Sequence, residues 1–136
     1  MTVILTVEDR GGMLFMKRRL SKDRLLTLDI VNMVGDGILY INEFSEALFF
    51  DSDISVLSVP DPLSSAAEQD FVFIENLPLA EHIERVDKLI IYKWNRAYPF
   101  DTAIDVTPIE CGFTLAESYD FEGYSHKKIT REVYTR

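Results

Sequence analysis

Phe71-Val72-Phe73-Ile74-Glu75-Asn76-Leu77-Pro78-Leu79 is the stretch from which the fold is read. Four consecutive apolar residues bounded by polar turn-formers are what a strand buried on both faces of a sheet requires. Pro78 suits the first position of a helix, where its missing N–H is no loss, and Leu79, Ile83 and Val86 recur at helical spacing. Lys88 to Trp94 then reads as the next strand. A strand, a helix and another strand imply parallel neighbours, because a parallel partner is reached only by crossing over a sheet face. Towards the N-terminus the alternation repeats. Thr2 to Val7 is a β-branched strand ended by the turn cluster Glu8-Asp9-Arg10-Gly11-Gly12, and a long loop carrying Phe15 comes next. A helix runs from the Ser21 cap to Val34 and stops at Gly35-Asp36-Gly37. Ile38-Leu39-Tyr40-Ile41 and Ile54 to Leu57 are further strands, with short helices at Ser45 to Leu48 and Pro62 to Ala67. Towards the C-terminus, Phe113 to Phe121 and Ile129 to Tyr134 alternate like a hairpin with no helix between them. The expected architecture is one three-layer α/β domain over residues 1–136, with a mainly parallel central sheet and an antiparallel C-terminal strand.

Composition removes several function classes. The chain has 136 residues with 14 Lys+Arg against 23 Asp+Glu, a net charge of −9, and a field of that sign repels phosphate backbones, so nucleic-acid binding is not expected. The longest apolar runs are a few residues, and Met1-Thr2-Val3 has neither a basic flank nor a small-residue cleavage site. No membrane partner is therefore expected, and the cytoplasm is the expected location. Cys111 is the only cysteine, which excludes an internal disulfide and a thiolate zinc cage. His82 and His126 are the only imidazoles, too few for the histidine-rich ligand run of a metallonuclease. Neither a metal nor a cofactor is expected.

Three places could carry chemistry. Lys17, Arg18, Arg19, Lys22 and Arg24 put five cations within eight residues of an acidic chain. Such a run either neutralises surplus carboxylates as a solvated loop or holds an anionic partner, a small molecule or an acidic protein patch. Trp94-Asn95-Arg96-Ala97-Tyr98-Pro99-Phe100 is rich in aromatics after a strand. Trp94, Arg96 and Tyr98 there form either a stacking and cation–π surface for a ligand or a core cluster at a strand end. His126 comes directly after Ser125, and neighbours on a strand face opposite sides, so they are not expected to pair. With no third residue to orient either imidazole, no catalytic role is expected for His126 or for the helix-surface His82.

The order of segments resembles dihydrofolate reductase over nearly the whole chain. Val3 to Val7 with Gly11-Gly12 is similar to the family's first strand and glycine-bearing loop. Ser21-Lys22-Asp23-Arg24-Leu25 resembles the helix start that carries its substrate-binding acid, with Asp23 in the first turn. Phe71 to Ile74, Pro78-Leu79-Ala80-Glu81, Asp87 to Ile91 and Asp101-Thr102 match the family's cofactor-facing strand, its helix, the next strand and an acid-threonine pair. Ser125-His126 with Tyr134 and Arg136 resembles its closing strand. The resemblance implies Asp23 as proton donor or anchor, and a cofactor site at the ends of the middle strands.

Departures from the family pattern fall at that cofactor site. Paired glycines are implied where Glu75-Asn76 stands, since only bare backbone lets a pyrophosphate approach. A glycine and an arginine are implied where Asn42-Glu43 stands, with Ser45 able to keep a cap role. Between Phe50 and Ile54 the chain leaves no room for the strand and basic loop that would hold a folate tail. The expectation is a dihydrofolate reductase-like domain without reductase activity, acting as a binding or interaction protein, with a homodimer through the sheet edge or aromatic segment as one arrangement. Its ligand contacts would come from Arg18, Arg19, Asn42, Ser45, Glu75, Asn76, Trp94, Arg96 and Tyr98. The alternative is an enzyme of altered chemistry, holding a pterin-like or nucleotide-like molecule in the old cleft by Asp23.

Overall fold

The computed structural model describes all residues from Met1 to Arg136. In chain order the elements are β1 (Thr2–Val7), β2 (Gly12–Phe15), β3 (Arg18–Arg19), α1 (Arg24–Val34), β4 (Ile38–Ile41), α2 (Glu46–Phe49), β5 (Ser55–Ser58) and α3 (Pro62–Ser65). They continue as β6 (Phe71–Phe73), β7 (Lys88–Lys93), β8 (Thr102–Ala103), β9 (Thr114–Phe121) and β10 (Ile129–Thr135). Seven strands make the main sheet in the order β5-β4-β6-β1-β7-β10-β9. The first five are mutually parallel, and β10 lies antiparallel between β7 and β9. This is the mainly parallel sheet with an antiparallel C-terminal strand that the alternation of elements implied. No helix is long and apolar enough to cross a membrane.

Period-two alternation along the central strands sorts the core into two layers. Val3, Leu5, Val72, Leu89 and Ile91 pack on one face with Leu63, Leu79 and Val86. Ile4, Phe73, Ile90 and Tyr92 pack on the other against Leu26, Ile30 and Val34, the buried stripe of α1. Each of these helix residues contributes about 2 kcal/mol by leaving water. A polar tie supplements the apolar contact: Tyr92 Oη donates to Asp29 Oδ2 of α1 at 2.5 Å, and Arg131 of β10 donates to the same carboxylate at 2.8 Å. Burial and the neighbouring Asp29 carboxylate raise the Tyr92 phenol well above its ordinary value.

Local structure departs from the sequence reading in three segments. The helix expected after Pro78 is a run of 3-10 turns over Ala80–Arg85, started where Leu79 and Ala80 donate their N–H groups to the Asp105 carboxylate at 2.9 and 3.0 Å. Leu79 and Val86 are both buried. The few residues between them must span the sheet face, and the rise of about 2.0 Å per residue in 3-10 geometry reaches further than an α-helix. The loop expected after β1 is a hairpin: Phe15 pairs with Arg18, and Met16 and Lys17 turn the chain with φ of 50° and 63°. Both turn residues are left-handed, as a two-residue hairpin requires, but neither is the glycine or asparagine that would announce it. Ser125 and His126 belong to the turn that joins β9 to β10 rather than to a strand.

Gly12 lies where β2 meets the Phe100 ring, which a Cβ would overlap. Gly12→Ala is expected to cost about 2 kcal/mol or more through overpacking. Gly112→Ala, at φ +88° with nothing within 4 Å of a Cβ, is expected to cost about 1 kcal/mol from backbone strain alone. Urea denaturation of both variants checks the ranking.

Candidate functional site

Asp23 is the N-cap of α1, accepting from Leu25 N at 2.9 Å and Leu26 N at 3.3 Å. It therefore precedes the first turn in which the sequence placed it, and the cap role read for Ser21 belongs to Asp23. The same buried carboxylate accepts from the main-chain N–H groups of Tyr124 and Ser125, both at 2.9 Å, so it clamps the β9–β10 turn to the helix. Such close approach needs Gly123, where a Cβ would stand 2.6 Å from Asp23 Oδ2 and 2.8 Å from Ile129 Cδ1. His126 completes the set with Nδ1 at 2.8 Å from Asp23 Oδ2. Burial alone would raise the acid's pKa. The Ser125 and Tyr124 N–H groups and His126 outweigh it and hold Asp23 well below the usual carboxylate range.

An ionised Asp23 places a proton on Nδ1, and in the neutral imidazole Nε2 is then the acceptor. Ser21 Oγ lies 2.9 Å from that nitrogen, and Tyr98 Oη lies 3.4 Å from it. The imidazole also packs against the buried indole of Trp94, with ring centroids 4.7 Å apart. A strand through residues 124–127 would leave His126 without an orienting partner. The partner is Asp23, and the glycine in the polar run Glu122-Gly123-Tyr124-Ser125 is the sequence signal for the turn that brings them together. In that turn Ser125 Oγ is 3.2 Å from Nδ1 of its neighbour, a contact that strand geometry would have forbidden.

A second cluster joins the ends of β4 and β6. Arg19 grips Glu75 with two charge-assisted bonds of 2.8 and 2.9 Å, Ser45 Oγ donates to Glu75 Oε2 at 2.6 Å, and Arg19 also donates to the Phe44 carbonyl at 3.0 Å. The bond to Glu75 is the main reason the Arg19 guanidinium holds its proton more tightly than usual. Alongside, Asn42 Nδ2 donates to Asn76 Oδ1 at 2.9 Å. Glu75 is thus buried but paired, and Arg19 is removed from the cationic run. Arg18, Lys22 and Arg24 stay exposed, with Arg24 over the Tyr124 ring at 4.6 Å. Arg96 is exposed as well, 6.0 Å from the Tyr98 ring centroid. Trp94 and Tyr98 meet at His126, and Arg96 stands outside that contact.

The open spaces differ in character. A recess of about 650 Å³ at Asn42 and Asn76 has Glu43 and Glu46 in its wall and no Lys or Arg. A groove of about 740 Å³ runs along the outer face of α1 between Lys22 and Arg24 on one side and Asp51 and Asp53 on the other. A recess of about 590 Å³ lies between Phe15, Arg18, Leu20 and Tyr98. Between Thr6, Ser21, Glu75 and Trp94 only about 10 Å³ remains, room for one water. No three His, Cys, Asp or Glu side chains are grouped to hold a metal ion.

No protein-family model matches the chain, and no curated protein matches it. Among solved structures, dihydrofolate reductase from Enterococcus faecalis, complexed with NADP(H) and RAB-propyl, superposes with a TM-score of 0.66 over 99% of this chain and 95% of its own. The chain has a dihydrofolate reductase-like fold. At 11% sequence identity the likeness establishes the fold alone. Within this dihydrofolate reductase-like fold, Asp23, Ser21 and His126 gather at the start of α1, and Arg19, Ser45 and Glu75 close the ends of β4 and β6.

Two measurements test these clusters. The folded-state pKa of Asp23 lies below its unfolded value of about 3.9, so its ionisation stabilises the fold above that pH and the contribution is lost as pH falls further. Asp23→Asn is therefore expected to flatten the decline of unfolding free energy below about pH 4, measured by urea titration at a series of pH values. Arg19→Met leaves the Glu75 carboxylate buried without its cation and is expected to cost about 3 kcal/mol, whereas Arg18→Met should fall within about 0.5 kcal/mol of the parent.

Proposed function

We propose that this chain is a dihydrofolate reductase-like domain that does not carry out nicotinamide-dependent reduction and instead binds a small anionic ligand between its β2–β3 hairpin and Tyr98. The observation that carries this reading is the Arg19–Glu75–Ser45 cluster, with the Asn42–Asn76 bond next to it. The resemblance assigns to residues 75–76 the glycine pair that opens main-chain N–H groups to a pyrophosphate. Here a carboxylate holding three strong hydrogen bonds fills that place. A dinucleotide would have to break a largely buried ion pair and leave a charge without a partner, a cost of several kcal/mol. The neighbouring recess offers it Glu43 and Glu46 and no cation.

Support for an anionic ligand comes from the recess between β3 and Tyr98. Arg18 lies in its wall with no carboxylate partner, beside the apolar side chains of Phe15, Leu20 and Pro99. A guanidinium free of internal pairing, next to apolar walls, suits a molecule with an apolar body and a carboxylate or phosphate group.

Thermal unfolding in the presence of millimolar NADPH tests the first part. The expected result is an unchanged Tm, and a rise of several degrees, the signature of a ligand bound only by the folded state, overturns it. For the second part, calorimetric titration with phenyl phosphate and with phenol should give heat for the first alone, and Arg18→Met should abolish it. Equal behaviour of the two compounds overturns the anion reading.

A further inference from the structure

We propose that Ser21, His126 and Asp23 form a nucleophilic relay and that the recess on the Tyr98 side admits small esters carrying a negative charge. A serine hydroxyl is a poor nucleophile until a base stands in line with its proton and a third group holds the base in the right tautomer. All three conditions meet here. Ser21 Oγ is 2.9 Å from His126 Nε2, and His126 Nδ1 is 2.8 Å from Asp23 Oδ2. The acid is buried and held in its ionised form by the N–H groups of Ser125, Tyr124 and Leu25, so it can stabilise an imidazolium without taking the proton. The Asp23 carboxylate caps α1 through the N–H groups of Leu25 and Leu26, with no need of an imidazole. The contact from His126 therefore adds orientation of the ring, which the cap does not require.

Towards Thr6, Glu75 and Trp94 the space beside Ser21 holds one water. Leu20, the residue before Ser21, and Tyr98, which contacts His126, both line the recess of about 590 Å³, and the proposed route of the substrate to the half-buried Ser21 is from that side. Tyr98 Oη, 3.4 Å from the same Nε2, is the O–H we assign to an oxyanion forming there. In the acylation step, Ser21 Oγ bonds to the ester carbonyl carbon while its proton passes to His126 Nε2. The carbon–oxygen bond to the alcohol then breaks, and the alcohol departs with that proton. A water deprotonated by the same nitrogen cleaves the Ser21 ester, releasing the carboxylic acid and restoring the hydroxyl.

The substrate charge rests on the ligand reading above, whereas the relay stands on its own geometry, and the test separates them. The full-length chain is treated with a neutral alkyl fluorophosphonate and monitored by intact mass and peptide mapping. One phosphonyl adduct on Ser21 is expected, absent in Ser21→Ala and formed about 100-fold more slowly in His126→Gln. Should His126→Gln fail to fold, Tyr98→Phe, which keeps the ring and removes only the O–H, is expected to slow labelling about tenfold. No adduct on Ser21 of the parent chain, or labelling at the parent rate in the folded variants, overturns the relay whatever binds near Arg18. Hydrolysis of the p-nitrophenyl monoester of succinate and of p-nitrophenyl acetate then tests the charge. A lower KM for the succinate ester, lost in Arg18→Met, is expected. Equal KM values alongside a Ser21 adduct overturn the anionic substrate class and leave the relay in place.

Discussion

A buried carboxylate is stable only where something replaces its water, and at Asp23 the replacement comes from two distant parts of the chain. Leu25 and Leu26 supply N–H groups from the helix it caps, and Tyr124 and Ser125 supply them from a turn about a hundred residues later. Main-chain donors hold the charge without neutralising it, so Asp23 stays ionised inside the protein. The position of α1, the tightness of the β9–β10 turn and the orientation of His126 all depend on that one group. Apolar burial of Leu26, Ile30 and Val34 supplies more energy than the clamp does, but it would tolerate a helix displaced by a fraction of a turn. The carboxylate would not.

The second cluster shows how a fold can lose one site without losing its shape. Glu75 at the end of β6 would be costly if its charge were bare. Arg19 from the β2–β3 hairpin and Ser45 before α2 make it part of the structure. Three segments that could otherwise move independently are tied at one carboxylate. The hairpin is therefore pinned down on one side by Arg19 and leaves Arg18 facing solvent on the other, as alternation along a strand dictates.

Strands were the legible part of the sequence. Phe71 to Ile74, Ile38 to Ile41 and Lys88 to Trp94 are short apolar runs between turn residues, and each forms a strand of the main sheet within a residue of its expected bounds. Segments whose conformation depends on tertiary partners were not legible. The Asp105 cap of the Ala80–Arg85 turns lies far along the chain, and the Met16-Lys17 hairpin adopts left-handed angles that its residue types do not favour. The candidate site divides the same way. Asp23, Glu75 and the basic run stood out by type and place, but the pairing of Glu75 with Arg19 and of His126 with Asp23 required long-range geometry. A turn with the look of a strand hid the histidine, because the face rule for strands does not hold where no strand exists.

Asp23 and His126 are separated by 103 positions in sequence and by 2.8 Å in space. Closing a loop of that length costs several kcal/mol of chain entropy before any local contact offsets it. The cap bonds of Leu25 and Leu26 to Asp23 are local, whereas the imidazole reaches Asp23 and the Ser21 hydroxyl only when the β9–β10 turn meets the start of α1. A partly folded chain, even one with the parallel half of the sheet assembled, carries a serine and an aspartate two residues apart and no organised chemistry between them. Completion of the fold and appearance of the site are one event.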